Sequence, residues 1–345
     1  MKYIDLRSDT VTMPTPQMRQ AMAEALVGDD VYQDDPTVKK LEELAAQVTG
    51  HPAGLFVASG TMGNQLAIMT HTQRGDEVIT GANYHIVAHE VGAAAVLSNV
   101  SIRMIHHEND YIYPEDIRKA VRSLDIHNPR TSLLSLENAL SNGTVMPLDL
   151  MLENIDTAHS MGLKVHLDGA RVFNAATALN CDVKSLTEPF DSVMFCLSKG
   201  LCSPVGSMLV GSKDFIERAR KNRKLLGGGM RQAGILAAAG LISIEDMTKR
   251  LDEDHANAQK LAGLLKEIES VDVFDQLRDI NMVYFKLKVK SPELLVDYAL
   301  TKNCKINPPS QGVFRVVTHH DISSEDVDSF VKIVKSFVKE NPSAD

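Results

Sequence analysis

The chain is expected to form an α/β fold: a mostly parallel central sheet with helices on both faces, followed by a smaller C-terminal α+β domain. Three observations predict it. Short β-rich runs alternate with longer helical segments up to about residue 250, the pattern of a parallel sheet covered on both sides. The inner runs are almost continuously apolar, as strands buried on two faces must be. Beyond about residue 250 the texture changes to a charged amphipathic helix and short strands without long apolar runs.

In chain order, residues 1–13 read as an arm, 14–249 as the large domain and 250–345 as the small one. Thr15-Pro16 supplies a capping hydroxyl and an N1 proline for a helix that would turn Met18, Met22 and Leu26 inward. Met13, Met18 and Met22 together read as core packing. Strands are expected at 55–59, 77–80, 131–137, 164–168, 192–198 and 206–211, with helices at 61–72, 114–124, 147–161 and 213–225. The segment 251–270 places Ala258, Leu261, Leu264, Leu265 and Ile268 near one helical face. Strands at 282–289 and 312–318 follow, with helices starting near Pro292 and Ser323. The pairs His106–His107 and His319–His320 read as solvated strand-end residues.

Composition excludes several classes of function. Of 345 residues, 44% are apolar and 23% charged, the balance of a folded globular chain. A net charge of −9 argues against a nucleic-acid binder, whose affinity rests on Lys and Arg neutralising phosphates. No apolar run approaches the roughly 20 residues that cross a bilayer, so no membrane association is expected. The opening MKYIDLRSDT has no h-region and does not read as a secretory signal. Cys181, Cys196, Cys202 and Cys304 show no CxxC spacing and read as reduced thiols in a cytoplasmic protein.

Three elements carry chemistry. Leu-Ser-Lys-Gly at 197–200 follows an apolar strand, and a lysine past the end of a parallel strand stands where such sheets place ligands. Asp168 closes the strand in HLDGAR, as an ionised carboxylate able to pair with a pyridine nitrogen or as a helix cap. SGTMGN (59–64) joins a strand to a helix, where the Gly60 and Thr61 amides form a natural phosphate cradle. It is neither a Walker loop nor GxGxxG. In order, the three suit a phosphate, an aromatic ring and an aldehyde of one molecule. His85 and His89 stand i,i+4, but HIVAHE is not HExxH and no third ligand is evident, so no metal is expected.

Longer stretches extend this reading. IDLRSDTVT (4–12), VGDDVY (27–32), FVASGTMGNQLA (56–67), HLDGARVFNA (166–175), MFCLSKGLCSPVGSMLVG (194–211), LLGGGMRQAGILAAAG (225–240) and FRVVTHHDIS (314–323) resemble the low-specificity L-threonine aldolases, a family of fold-type-I pyridoxal-phosphate enzymes, over nearly the whole chain. The resemblance implies pyridoxal 5′-phosphate as cofactor and cleavage of β-hydroxy amino acids to glycine and an aldehyde. It implies that Lys199 forms the Schiff base, Asp168 pairs with the pyridine nitrogen, Gly60 and Thr61 bind phosphate and His85 stacks on the ring. Ser8, Arg171 and Arg315 would hold the substrate carboxylate, which a flat guanidinium grips with two bonds. Lys224 and Arg231, flanking the triple glycine, would reach the phosphate of a neighbouring subunit in a homo-oligomer, dimer or tetramer. His127 would lie near the substrate hydroxyl, and His85 or His127 would serve as base.

Some positions depart from the family pattern. Gln33 stands where a glycine is usual, His89 where an aromatic is common, and Ala139-Leu140 where Thr-His typically follows LEN. Pro308 and Pro309 stiffen the segment before Arg315. These touch substrate preference rather than cofactor binding. The nearest rivals share the cofactor: a β-eliminating lyase or an aminotransferase. A non-catalytic protein that kept the fold is the rival of another class.

Overall fold

The computed structural model describes residues 3–277 and 279–342. After β1 (Ile4–Asp5), seven strands build the main sheet: β2 (Ala53–Val57), β3 (Glu77–Gly81), β4 (Ser101–Ile105), β5 (Thr131–Glu137), β6 (Lys164–Asp168), β7 (Ser192–Cys196) and β8 (Ser207–Gly211). Their order is β2-β8-β7-β6-β5-β3-β4. Only β8 runs against its neighbours, pairing antiparallel with both β2 and β7. All other pairs are parallel, so β2, β3, β5, β6 and β7 end on one edge.

The expected two-sided burial follows from alternation along the strands. Leu55, Val57, Met194, Cys196 and Leu209 pack with Leu66, Ala67, Phe215 and Ile216 of the helices Gly60–His71 and Lys213–Leu225. The intervening Phe56, Val193, Phe195, Met208 and Val210 face the opposite core with Leu41, Ala237 and Ile244. Each fully buried side chain of this size contributes about 1.5–3 kcal/mol.

Local signals set the flanking helices. Thr15 caps Pro16–Ala23 by accepting from the Met18 amide. Met18 is buried as expected, but Leu26 lies beyond the helix end and is 73% exposed, and Met13 is 58% exposed. Asp35 caps Pro36–Thr49 through the Thr37 and Val38 amides, and Gly50 closes that helix at φ 75°.

The C-terminal region holds a three-stranded antiparallel sheet ordered β12 (Phe314–Val317), β10 (Met282–Leu287), β9 (Val271–Val273). The helices Leu251–Lys266 and Ser324–Glu340 cover it, and Phe285 stacks on Phe314 with centroids 5.2 Å apart. β1 pairs in parallel with β11 (Cys304–Lys305), and Leu6 joins the same core. The opening residues therefore lie along the C-terminal region. His106, His107 and His320 are exposed, whereas His319 is buried with Nε2 2.8 Å from the Asp5 carbonyl, because the arm covers it. No helix among the described residues is long and apolar enough to cross a membrane.

Candidate active site

The carboxyl edge of the sheet gathers most of the sequence candidates. Register places Glu137 beside Asp168, and Asp168 beside Met194, so Lys199 stands three residues past the end of β7. Lys199 is half-buried, and its carbonyl accepts from Thr12 Oγ1 at 2.8 Å. β2 delivers Ser59, whose hydroxyl accepts from the Met62 amide, while the Ser59 carbonyl accepts from Gly63. The first-turn amides of Gly60 and Thr61 are left without a partner inside the helix. A Cβ on Gly60 would sit 2.9 Å from Cys196 Sγ, so only glycine lets this turn approach β7 so closely.

Behind the edge lies a buried polar network. Asn64 Nδ2 donates to Asp168 Oδ2 at 2.7 Å and to Glu90 Oε1 at 2.8 Å. Asp168 Oδ1 accepts from the Ala170 amide at 3.1 Å. The following helix begins only at Val172, so Asp168 is not its cap. Glu90 Oε1 also meets His85 Nδ1 at 2.8 Å, and Glu90 Oε2 accepts from Gln65 at 2.6 Å. The hydrogen bond to the Glu90 carboxylate raises the His85 pKa despite partial burial. Burial, then the charge of Asp168, raises that of Glu137, whose Oε2 accepts from the His85 amide and whose Oε1 accepts from Ser141. Ligand atoms of His85, Glu90 and Asp168 lie within 4.8 Å of one another, a spacing that would suit a metal, but the Asn64 amide already bridges the two carboxylates.

On the other side, Arg171 donates from Nε and Nη2 to both oxygens of Asp9, at 2.7 and 2.6 Å. Asp9 is fully buried; burial opposes its charge, and Arg171 overrides that and holds it well below the ordinary carboxylate range. Ser8 caps the short turn Asp9–Val11. Arg315 lies opposite Tyr284 in the β10–β12 pair, and the Tyr284 hydroxyl donates to the Ser141 carbonyl at 3.4 Å. Arg315, Tyr284, His89, Asn307 and Glu137 line a cleft of about 620 Å³. Glu137 connects it to His85. A larger groove, about 820 Å³, holds Leu44, Phe173 and Ile244 and none of these polar groups.

Three candidates stand apart in the single chain. His127 is exposed on the turn before β5, the end of that strand opposite Glu137. Lys224 and Arg231 are exposed, Arg231 pairing with Asp29 at 2.9 Å. Between them, Gly228 rests on Met62 of the first turn of the Gly60–His71 helix. Sequence reasoning missed Asp9, Asn64, Glu90 and Glu137. A polar Asn64 in an apolar helix and the carboxylates within LRSDT, HIVAHE and LEN were the available signals.

A half-buried amine, a carboxylate across the edge and two free amides at a helix N-terminus fit an aldehyde, a pyridine nitrogen and a phosphate. This donor set on this sheet defines the class of fold-type-I pyridoxal-phosphate enzymes, and pyridoxal 5′-phosphate is the cofactor. Comparison with known proteins agrees. The chain is 44% identical over 323 residues to the low specificity L-threonine aldolase of Escherichia coli, covering 93% of this chain and 95% of that one. It is 41% identical to low-specificity L-threonine aldolase 1 of Arabidopsis thaliana, covering 95% and 94%. The fold matches the threonine aldolase of Leishmania major with a TM-score of 0.83 over 97% of this chain and 99% of that one, at 19% identity. The beta-eliminating lyase model matches residues 5–288, and the chain belongs to that family, among its low-specificity L-threonine aldolases.

Proposed function

We propose that this protein is a carbon–carbon lyase that cleaves L-threonine, L-allo-threonine and related β-hydroxy-α-amino acids to glycine and an aldehyde. The identity with named threonine aldolases, carried over 93% of the chain, is the observation that supports this most. In this reading Lys199 holds the cofactor aldehyde, Asp168 its ring nitrogen, and Gly60 and Thr61 its phosphate, with the His85 ring against the pyridine face. The bound cofactor supplies an electron sink for the Cα–Cβ bond. Ser8, Arg171 and Arg315 fix the substrate carboxylate, and the Asp9 pair keeps the Arg171 plane from rotating. His85 receives the β-hydroxyl proton at Nε2, directly or through a water, since Glu90 occupies its Nδ1.

The same reading makes the protein a cytoplasmic homo-oligomer, at least a dimer and most simply a tetramer. Lys224 and Arg231 then serve the phosphate of a neighbour, and His127 acts only across such an interface. It divides the chain into an arm (1–13), a cofactor-binding domain (14–249) and a C-terminal domain (250–345).

The deciding experiment offers L-threonine and L-allo-threonine separately to the cofactor-loaded protein. Acetaldehyde matched by equal glycine is expected, and the ratio of rates gives the stereochemical preference. Transfer of nitrogen to a 2-oxo acid, or ammonia without glycine, would replace the reading with an aminotransferase or a β-eliminating activity.

A further inference from the structure

The Asn64 network continues away from the cofactor edge. Asn64 Oδ1 lies 3.1 Å from Nε2 of His166, a fully buried ring on β6. His166 Nδ1 lies 2.9 Å from Ser192 Oγ, and Ser192 Oγ lies 2.8 Å from His71 Nε2. His71 itself stacks on Phe215 with centroids 4.5 Å apart. Five side chains from three segments thus form one unbroken line ending on Asp168.

Its direction follows from donor counting. Asn64 spends both amide hydrogens on carboxylates, Asp168 and Glu90, which accept only. Its oxygen must therefore receive a proton, and only Nε2–H of His166 can supply it. With that proton on Nε2, a neutral His166 accepts at Nδ1 from the Ser192 hydroxyl. The Ser192 oxygen in turn accepts from Nε2–H of His71. The Ser192 carbonyl also faces the His166 ring, but satisfying it as well needs a second ring proton. Burial forbids that cation, holding the His166 pKa at about 3, and burial holds His71 at about 4.

We propose that Asn64 is a positioning residue: fed by a one-way chain of donors from His71 through Ser192 and His166, it keeps Asp168 an acceptor-only carboxylate and fixes Glu90 behind His85. Two buried carboxylates, Asp168 and Glu137, stand side by side at adjacent strand ends. Asn64 donates to one of them and not to the other. Asp168, where the proposed ring nitrogen would sit, thereby receives a side-chain amide donor that Glu137 lacks. The same amide locks the carboxylate that orients His85, so a single side chain aligns both the electron-sink partner and the imidazole.

This role rests on the proposed cofactor placement, and its test is separable from the aldolase assay. In the holoenzyme labelled with 15N-histidine, His166 is expected to show one neutral tautomer, protonated at Nε2 with Nδ1 an acceptor. A proton on Nδ1, or a cationic ring at neutral pH, overturns the proposal whatever the protein catalyses. Asn64→Ala is expected to weaken pyridoxal phosphate retention by about 10- to 100-fold, the scale of a hydrogen bond to a charged group, and to release the His166 tautomer preference. His166→Gln keeps a donor and an acceptor in place and should retain most of the affinity that His166→Leu loses. Unchanged cofactor affinity in folded Asn64→Ala, or equal behaviour of the two His166 variants, also overturns it. Absence of acetaldehyde from wild type leaves the tautomer result standing and removes only the substrate assignment.

Discussion

Nδ1 of His85 lies 2.8 Å from Oε1 of Glu90, a side chain that has no direct path to the cleft. The pair leaves Nε2 as the working face of the imidazole and lifts the His85 pKa above its ordinary 6.5. A base must be neutral to accept a proton, so activity should rise with pH as His85 loses its own proton. The acid limb of the kcat profile is therefore expected above the usual histidine range. Glu90→Gln should move that limb to lower pH, because the group that favours the cation is gone. A limb that stays in place in Glu90→Gln excludes His85 as the titrating base. His85→Asn should lower kcat by about 10²- to 10⁴-fold.

Asp9 and Arg171 make a second prediction, on binding rather than proton transfer. Asp9 is fully buried, the Arg171 side chain is 10% exposed, and two bonds join them. Arg171→Lys cannot reproduce that fork, and KM for the amino acid should rise more than kcat falls. Asp9→Asn keeps the shape and loses the charge; breaking such a pair costs about 3–5 kcal/mol of stability. Asp9 has a folded pKa below its unfolded value of 3.8, so its contribution is present at neutral pH and fades as pH falls below that value. Chemical unfolding at pH 7 and at a pH below 3.8 checks this: the gap between wild type and Asp9→Asn should narrow only in that strongly acidic range.

Arg223 tests the frame under the phosphate turn. Its side chain is 2% exposed, donating to the Phe56 carbonyl at 2.7 Å and to Asp30 at 2.6 Å. Arg223→Met leaves Asp30 buried beside Arg220 at 4.0 Å and should cost about 3–5 kcal/mol. The double variant with Asp30→Leu removes the orphaned charge as well, so it should lose less than the sum of the two single changes. Denaturant titration of the four proteins measures the difference.

How much of this was legible in the sequence depended on the range of the interaction. β5 and β6 were readable to the residue, because short β-rich runs end there in Glu137 and Asp168. β4 was not: its SIRMI run alternates between half-buried and exposed at the sheet edge and carries no apolar block. Lys199, Asp168, Gly60 and Thr61 could be singled out as candidates because each sits at a strand end with a local signature. Asp9, Asn64 and Glu90 were missed because their meaning lies in partners far along the chain, such as Asn64 with Asp168 across 104 positions. His319 was misread as solvated because the arm that buries it is more than 300 residues away.

Lys199 gives the last prediction. It stands three residues past the end of β7, its carbonyl tied to Thr12, and its charge bears on the ionisation of both Asp9 and His85. If it carries the cofactor, Lys199→Ala should lose the visible absorption of the lysine-linked form and should stop turning over. The phosphate amides and Asp168 remain in that variant, so cofactor should still bind without the covalent band, and borohydride should no longer fix it to the chain. Lys224→Ala serves as the control, since that side chain is exposed. It should keep the band, and any loss should fall on phosphate affinity alone. A band that survives in Lys199→Ala and vanishes in Lys224→Ala would move the cofactor to the C-terminal end of the Lys213–Leu225 helix and overturn the whole arrangement at the sheet edge.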